Sequence, residues 1–432
     1  MVIESFYALK KKFMRFFRYL MSKLILKMTF GGPKSKSAFL NIILTDIREE
    51  PAKQKSLSFD TVIKKFLSEG YSVSIIVPGG NKNRYETLIR YQRIFQKHTT
   101  SSKFNIIYIS PRWVLIERVA CIFYVIFFFI FIKCSYRRRF NISCLMALSI
   151  VKLNFYKRVF DVVTCNHWLG LTGGIELPTL KVRALEVGAS TCVNALQFGQ
   201  ASDEQRHFEG YNVDRFFVYD KLSRSIYEKL SMRVGEIVTC GSPEFEYYLN
   251  ESKSSDLISH QKLNIAFVDQ PVFQRSEYHI SFVKNLETML DELNSDNLLN
   301  FYVKPHPRGT AFTKEFMSKC KVKLCWQECL SDSHVVIGFF SNLCDMALLS
   351  NRPTFYLGAE WVLDRNKQDW ITSKGGIVSS DMSLVKFELQ KIIKSPAELA
   401  NNILMKKKYW GAAASEKIFT TMVACSEAET IS

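Results

Sequence analysis

Three side chains able to hold an anion occupy alternate positions in the stretch "NFYVKPHPRG", residues 300–309. Phe301, Tyr302 and Val303 run straight into Lys304, His306 and Arg308, which are interleaved with Pro305 and Pro307. Proline fixes φ and has no backbone N–H, so the turn is stiff and its alternate residues project together. Lysine supplies a compact charge, and arginine pairs with phosphate through two parallel hydrogen bonds. A histidine beside them can donate to a phosphate oxygen or stabilise a leaving phosphate. The competing reading is a rigid surface turn of ordinary proline chemistry.

A second stretch, "SDSHVVIGFFSNLCDMALLSNRP" (331–353), reads as an apolar strand, then Gly338, then Ser341 and Asn342, then a helix. Either Ser341 or Asn342 suits the N-cap, and the N–H groups that open a helix bind phosphate. Two further turns carry candidate nucleotide or phosphate contacts. They are Gly241 and Ser242 in "CGSPEFEYY" (240–248) and Gln270 in "VDQPVF" (268–273). Turn chemistry alone explains them equally well. For a base that takes the proton from an acceptor hydroxyl, the candidates are Asp203, Glu204, His207 and Glu209. A solvated loop face is the alternative for each of them.

Metal chemistry finds little support. Cys320, Cys325, Cys329 and His334 fit none of the usual zinc spacings and read as small buried residues. The chain has no Gly-x-Gly-x-x-Gly, no Walker loop and no Asp-x-Asp. The expectation is therefore an enzyme with no required metal and no cofactor, whose own cations screen the leaving phosphate.

The elements that must position these residues alternate along the chain. Apolar runs of strand length occur at 38–45, 71–80, 104–110, 159–168, 190–200, 214–220 and 235–243. Helices are predicted at 57–69, closed by Gly70, and at 83–98. A polar, serine-rich stretch, "NESKSSDLISHQ" (250–261), then reads as a linker. A second alternation follows, with strands at 262–271, 298–307, 321–325, 333–342 and 352–358. Its helices fall near 276–294, 312–319 and 343–350, and the last fifty or so residues read as helical. Such alternation argues for parallel βαβ units. The predicted class is α/β, two Rossmann-like domains facing a cleft. The first spans 38–249 with a hydrophobic insertion at 113–133, and the second spans 262–432. Ligands of open α/β sheets bind beyond the carboxyl ends of the strands, where the "KPHPR" turn falls.

Charge and apolarity point to a surface partner. The 432 residues carry 58 Lys and Arg against 41 Asp and Glu, a net +17. The excess suggests an anionic partner, a phosphorylated ligand or an acidic membrane, since nothing matches a nucleic-acid-binding module; the alternative is a soluble protein with scattered lysines. Within segment 1–30, residues 4–27 place Phe6, Leu9, Phe13, Phe16, Phe17, Leu20 and Leu24 on one helical face. Lys11, Lys12, Arg15, Arg18 and Lys23 fall mostly on the other. That pattern suits a helix lying in an anionic membrane interface, or else one packed on the protein's own core. The run "VACIFYVIFFFIFI" (119–132) is too short for a bilayer span, which takes about 20 residues. "WVLI" (113–116) would lengthen it, but Glu117 and Arg118 interrupt. Monotopic insertion or a buried helix fits better. The 11 cysteines and the absence of a leader-like pattern favour a reducing compartment. The expected place is the cytoplasmic face of the inner membrane.

"YVKPHPRG", followed by "SDSHVVIGFFSN", a helix and "RPTFYLG", resembles bacterial GT-B-type transferases of surface-polysaccharide synthesis. These include the His-Pro-motif sialyltransferases and polysialyltransferases and the CDP-glycerol glycerophosphotransferases. The resemblance covers about 100 residues of the C-terminal half. It implies that His306, Pro307, Ser341 and Asn342 bind a nucleotide-activated donor, commonly a cytidine nucleotide. Where the phosphotransferases read Asp-Tyr-Ser-Ser this chain reads "FFSN", so only Ser341 keeps the pattern. "ALQFGQASDEQ" (195–205) is similar to a junction that reads Gln-His-Gly in such enzymes, with Phe198 here in the histidine's place. By that likeness Gln197, Gly199 and Gln200 lie on the acceptor side. The implied activity is transfer of a sugar, preferably a CMP-activated acidic sugar such as sialic acid, to a glycan or lipid-linked acceptor. The alternatives are a CDP-glycerol-type polyol-phosphate transferase and a non-enzymatic protein that binds anionic membranes.

Overall fold

A computed structural model describes residues 39–45, 60–78, 104–109, 111–131, 164–171, 191–197, 211–230, 232–246, 262–269, 277–295, 298–306, 312–323, 326–339, 341–358, 365–395 and 413–429. Isolated helical positions between 143 and 185 are also described. The basic segment 4–27, the helix predicted at 83–98 and the linker at 250–261 lie outside these residues.

Seven strands form the first sheet. They are β1 (Phe39–Thr45), β2 (Val73–Pro78), β3 (Phe104–Ile109), β4 (Thr164–Leu171), β5 (Cys192–Leu196), β6 (Asn212–Val218) and β7 (Arg233–Thr239). Their order is β3-β2-β1-β4-β5-β6-β7, and every pairing is parallel. Helix α1 (Asp60–Ser68) connects β1 to β2 and buries Val62, Ile63, Phe66 and Leu67. It stops at Gly70, whose φ of +85° is open to glycine at no steric cost, as its predicted cap role requires. The N–H of Tyr71 then closes on the carbonyl of Phe66 at 3.0 Å.

Two helices of this half add to the sequence reading. Helix α2 (Pro111–Phe131) begins ahead of the apolar run 119–132 and includes Glu117 and Arg118, the charges that divide that run from "WVLI". Both are good helix formers, and Pro111 sits at the first position, where proline is tolerated. Helix α3 (Lys221–Glu228) was not predicted. It is opened by Asp220, whose side chain accepts a 2.6 Å hydrogen bond from the Ser223 N–H, and it buries Ile226 and Tyr227.

Six strands form the second sheet: β8 (Leu263–Val268), β9 (Leu299–Lys304), β10 (Lys321–Val322), β11 (Val335–Gly338), β12 (Thr354–Leu357) and β13 (Ile377–Ser379). Their order is β10-β9-β8-β11-β12-β13, again all parallel. Helices α4 (Glu277–Leu293), α5 (Lys314–Lys319), α6 (Trp326–Ser331), α7 (Asn342–Leu349), α8 (Arg365–Ser373) and α9 (Met382–Lys394) accompany it. Each residue of β8, β11 and β12 is buried, which is why these strands read as continuous apolar runs with no alternation. One core cluster centres on Phe267, Phe301, Phe312 and Phe316, with ring centroids of Phe267 and Phe316 5.5 Å apart. Each such side chain contributes roughly 1.5–3 kcal/mol on burial.

The last helix, α10 (Ala414–Glu429), falls in the sequence span assigned to the second domain but packs on α1 of the first. Ile418 and Met422 join the core of the first sheet, and Phe419 meets Phe66 edge-on at 4.9 Å. Its start is tied down by Glu246, which is 5% exposed and accepts from the Ser415 N–H at 2.9 Å and from the Ser415 hydroxyl at 2.8 Å.

His167, in the middle of β4, is 4% exposed. Burial first, and the neighbouring Arg215 guanidinium second, push its imidazole down to about 4. The unfolded imidazole protonates near pH 6.5, so below that pH the unfolded state binds more protons. Stability is complete above about pH 6.5 and is lost as pH falls toward 4, by about 3 kcal/mol for this group. Urea midpoints measured at pH 7 and pH 4 should show wild type losing that much more than His167→Asn. Parallel losses in the two proteins would show that the imidazole is not held neutral by the fold.

Candidate active site at the carboxyl edge of the second sheet

Register brings the two predicted anion-binding segments together. Val268 at the end of β8 pairs with Lys304 at the end of β9 on one side and with Gly338 at the end of β11 on the other. Gly338 in turn pairs with Tyr356 of β12. Lys304, Val268 and Gly338 therefore form one row across three strands. With strands about 4.8 Å apart, the row places the exit of β9 about 10 Å from the exit of β11. From one end of that row leave Pro305 and His306, and from the other leave Ser341 and Asn342. The strand order makes β8 and β11 the switch point, where the chain winds to opposite sides and a crevice opens at the carboxyl edge.

Ser341 caps α7 from an extended backbone (φ −161°, ψ 148°), and its Oγ accepts from the Leu343 N–H at 3.3 Å. A hydroxyl has one donor besides its lone pairs, so the Ser341 O–H keeps a proton to offer an anion. Ser341 and Asn342 are half-buried, as are Lys304, Pro305 and His306. All five can thus be reached from solvent while their backbones are fixed. The Lys304 ammonium reaches back to the Pro305 carbonyl at 3.3 Å. The helix dipole adds partial positive charge at Ser341 and Asn342.

Two further features of the edge escaped the sequence reading. Gly338 is where α7 approaches β11 most closely. A Cβ there would lie 2.4 Å from the Cys344 sulfur and 3.3 Å from the Val268 Cβ, so only glycine lets the helix start this near the sheet. Asp269, directly after β8, is 2% exposed, and its N–H donates to the Lys304 carbonyl at 3.1 Å. It stands beside Gln270, the residue singled out in the same turn.

A buried ion pair anchors α7 from behind. Asp345, one turn in from Ser341, accepts from the Tyr356 hydroxyl at 2.7 Å and from the Lys367 ammonium at 2.8 Å. The ammonium also lies 3.8 Å from the centre of the Trp370 ring. Burial, reinforced by the Asp345 carboxylate, pushes the Tyr356 phenol well above its ordinary pKa, so it stays a donor. Three elements, α7, β12 and α8, are thereby joined through one carboxylate. The available signal was an acid inside the otherwise apolar helix "NLCDMALL".

Other candidates occupy different roles. Gln197 is 1% exposed, and its amide is committed internally: Oε1 accepts from the Tyr219 N–H at 2.9 Å and Nε2 donates to the Ser223 hydroxyl at 3.2 Å. It ties β6 to the start of α3 instead of presenting an amide to an acceptor. Ser242 is 1% exposed, and its Oγ accepts from the Phe245 N–H at 3.4 Å, so it caps a short helical turn. Gly241 precedes it with φ +90°. His334 lies at the amino end of β11, away from the carboxyl edge, and its Nδ1 accepts from the Asn264 N–H at 2.9 Å. Cys329 and Cys344 are buried within the second domain's core. Pro307, Arg308, Gln270, Gly199, Gln200, Asp203, Glu204, His207 and Glu209 lie outside the described residues.

No family model matches this sequence, and no curated protein sequence matches it either. Solved structures do. The UDP-GlcNAc 2-epimerase of Neisseria meningitidis bound to UDP-GlcNAc superposes with a TM-score of 0.54 at 10% identity, covering 90% of this chain and 100% of that one. Another UDP-N-acetylglucosamine 2-epimerase gives 0.54 at 10% identity over 88% and 94%. The Staphylococcus aureus MnaA–UDP co-structure gives 0.50 at 12% identity over 88% and 95%. The chain has the α/β fold of these proteins, the GT-B-like pairing of two Rossmann-like domains.

Replacing Lys367 by Met leaves the Asp345 carboxylate buried without its counter-ion. The expected cost is about 3–5 kcal/mol in denaturant unfolding. Replacing both residues, Asp345→Leu with Lys367→Met, should cost less than the single change, because no charge is stranded. Equal costs for the single and double variants would mean that the pair does not hold α7 in place.

Proposed function

We propose that this chain is a GT-B-type transferase that binds a nucleotide-activated sugar at the carboxyl edge of its second sheet. In this reading it passes the sugar to a cell-surface glycan or a lipid-linked acceptor. The observation that carries the proposal is the in-register row Lys304–Val268–Gly338, which sets the "KPH" turn and the capped start of α7 at strand exits on either side of β8. One diphosphate or phosphodiester is the right size to touch both. Lys304 and the α7 N-terminus would neutralise its charge, and the Ser341 hydroxyl would donate to an oxygen. His306 would stabilise the phosphate as the glycosidic bond to it breaks. That negative charge grows during the step, so donors fixed in advance favour the transition state over the bound substrate. The acceptor hydroxyl must lose a proton, and Asp203, Glu204, His207 and Glu209 are the groups we assign to that task.

The preferred donor is a CMP-activated acidic sugar, on the resemblance of "YVKPHPRG" and "GFFSN" to the capsule enzymes. A CDP-polyol transfer is the neighbouring alternative. The ligands bound by the structural relatives, UDP-GlcNAc and UDP, favour the same general site chemistry with a uridine nucleotide. They also raise epimerisation in place of transfer. The excess of positive charge and the basic segments support a position on the cytoplasmic face of the inner membrane.

Calorimetry of the detergent-solubilised full chain with CMP, CDP, UDP and GDP tests the reading. One nucleotide should bind wild type, and His306→Ala should weaken it about 10-fold or more, as for a lost hydrogen bond to a charged group. Ser341→Ala should weaken it by a smaller factor. The nucleotide that binds names the donor class. If the matching nucleotide sugar is isomerised with no acceptor present, epimerisation replaces transfer. If none of the four binds, the site is not a nucleotide site.

A further inference from the structure

The face of α2 that points to solvent is made of large apolar side chains. Val119, Ile122, Phe123, Ile126, Phe127 and Ile130 are 46%, 38%, 68%, 53%, 53% and 65% exposed. Their spacing confines them to an arc of about 140°, at 100° per residue, along about 16 Å of helix. On the opposite side Cys121 is 4% exposed, and Tyr124, Val125, Phe128 and Phe129 are partly buried. The helix thus rests on the domain by one side and offers water a continuous hydrocarbon ridge on the other. Scattered exposed apolar residues are ordinary, but a contiguous ridge of this kind marks a binding surface.

What covers the ridge is indicated by charge. Residues 118–160 contain eight cations (Arg118, Lys133, Arg137, Arg138, Arg139, Lys152, Lys157 and Arg158) and no carboxylate across 43 positions. Lys133 follows two residues after the helix ends. A second copy docking by the same face about a two-fold axis would set two such cationic stretches against each other. An anionic lipid surface instead accepts the ridge into its acyl boundary and the cations among its headgroups. No helix among the described residues is long and apolar enough to cross a membrane.

We propose that the Val119–Ile130 face of α2 is a monotopic membrane anchor that embeds in the interface of an anionic bilayer. Interfacial helices of this kind sink about 5–10 Å, so the phenylalanines would sit at the acyl boundary while the sheet stays in water. The anchor is separate from the nucleotide site, which lies in the other domain, and it stands or falls independently of the proposed chemistry. It gives the protein a fixed two-dimensional address at which a lipid-linked or membrane-bound substrate would be met.

The test is sedimentation of the full chain with vesicles of phosphatidylcholine alone or with 30 mol% phosphatidylglycerol, at low and high salt. Wild type should partition onto the anionic vesicles. The triple variant Phe123→Ser, Phe127→Ser, Ile130→Ser should partition at least tenfold less while keeping wild-type nucleotide binding in detergent. The variant Arg137→Gln, Arg138→Gln, Arg139→Gln should lose most of the preference for anionic lipid but keep residual binding. A milder variant, Phe127→Trp, reads out insertion directly: lipid brominated in the acyl chain should quench the added fluorescence relative to wild type. Equal partitioning of wild type and the serine variant, or no quenching at position 127, overturns the proposal. So does a dimer in solution that the serine variant splits while neither protein binds vesicles, which would make the ridge a contact between copies.

Discussion

Parallel pairing is the constraint from which the rest of the molecule follows. Each strand pairing in both sheets is parallel, so the chain must return across the sheet between strands and every chemically useful loop leaves from one edge. Burial of β8, β11 and β12 on both faces fixes their register, because a slip would drag polar loop residues into the core. Once Val268 is opposite both Lys304 and Gly338, the "KPH" turn and the α7 start have no freedom to separate. The proximity of two segments more than 30 residues apart is a consequence of sheet hydrogen bonding, needing no direct contact between them.

The two edges of the second sheet are built differently. At the amino edge the polar groups are spent on one another: Asn264 donates to the Asp332 carbonyl at 2.7 Å, Asn300 donates to Asn264 at 2.9 Å, and His334 accepts the Asn264 N–H. Such a closed network stiffens the sheet and offers a ligand little. At the carboxyl edge Lys304, His306, Ser341 and Asn342 stay half-buried, with their backbones pinned from behind. Asp345, Tyr356 and Lys367 do that pinning for α7, and the clearance at Gly338 sets how near α7 can start. The carboxyl edge thus keeps these side chains within reach of solvent on a fixed backbone.

What was legible in the sequence was what depends on local pattern. The apolar runs gave the strands, Gly70 gave the end of α1, and the Ser341–Asn342 pair gave the start of α7, because each signal is complete within a few residues. Properties set by distant partners were not legible. Gln197 looked like a loop amide, yet its two hydrogen bonds go to residues 22 and 26 positions later. Lys367 looks like any surface lysine until Asp345 and Trp370 are placed beside it. Glu117 and Arg118 divide the apolar run, as the sequence indicates, and the helix-forming tendency both share lets α2 continue through them. Beyond that pair α2 carries no charge, and its exposed apolar residues from Val119 to Ile130 lie in this stretch.

The crossing between the domains shows how the two halves of this fold stay coupled. Residues 241–246, just after β7, touch three bodies at once. The Thr61 hydroxyl of α1 donates to the Pro243 carbonyl at 3.3 Å, Phe245 is wholly buried in a core cluster of the second sheet, and Glu246 holds the start of α10. Since α10 packs on α1, the chain enters the second domain beside Phe245 and returns to the first beside the same point. Helix α3 also contacts α8, the helix whose Lys367 supports α7. Among the described residues, 241–246 thus carry contacts to both domains at one place. Val268 of the strand-end row lies in the same core cluster as Phe245, so the crossing and the row share one packed core.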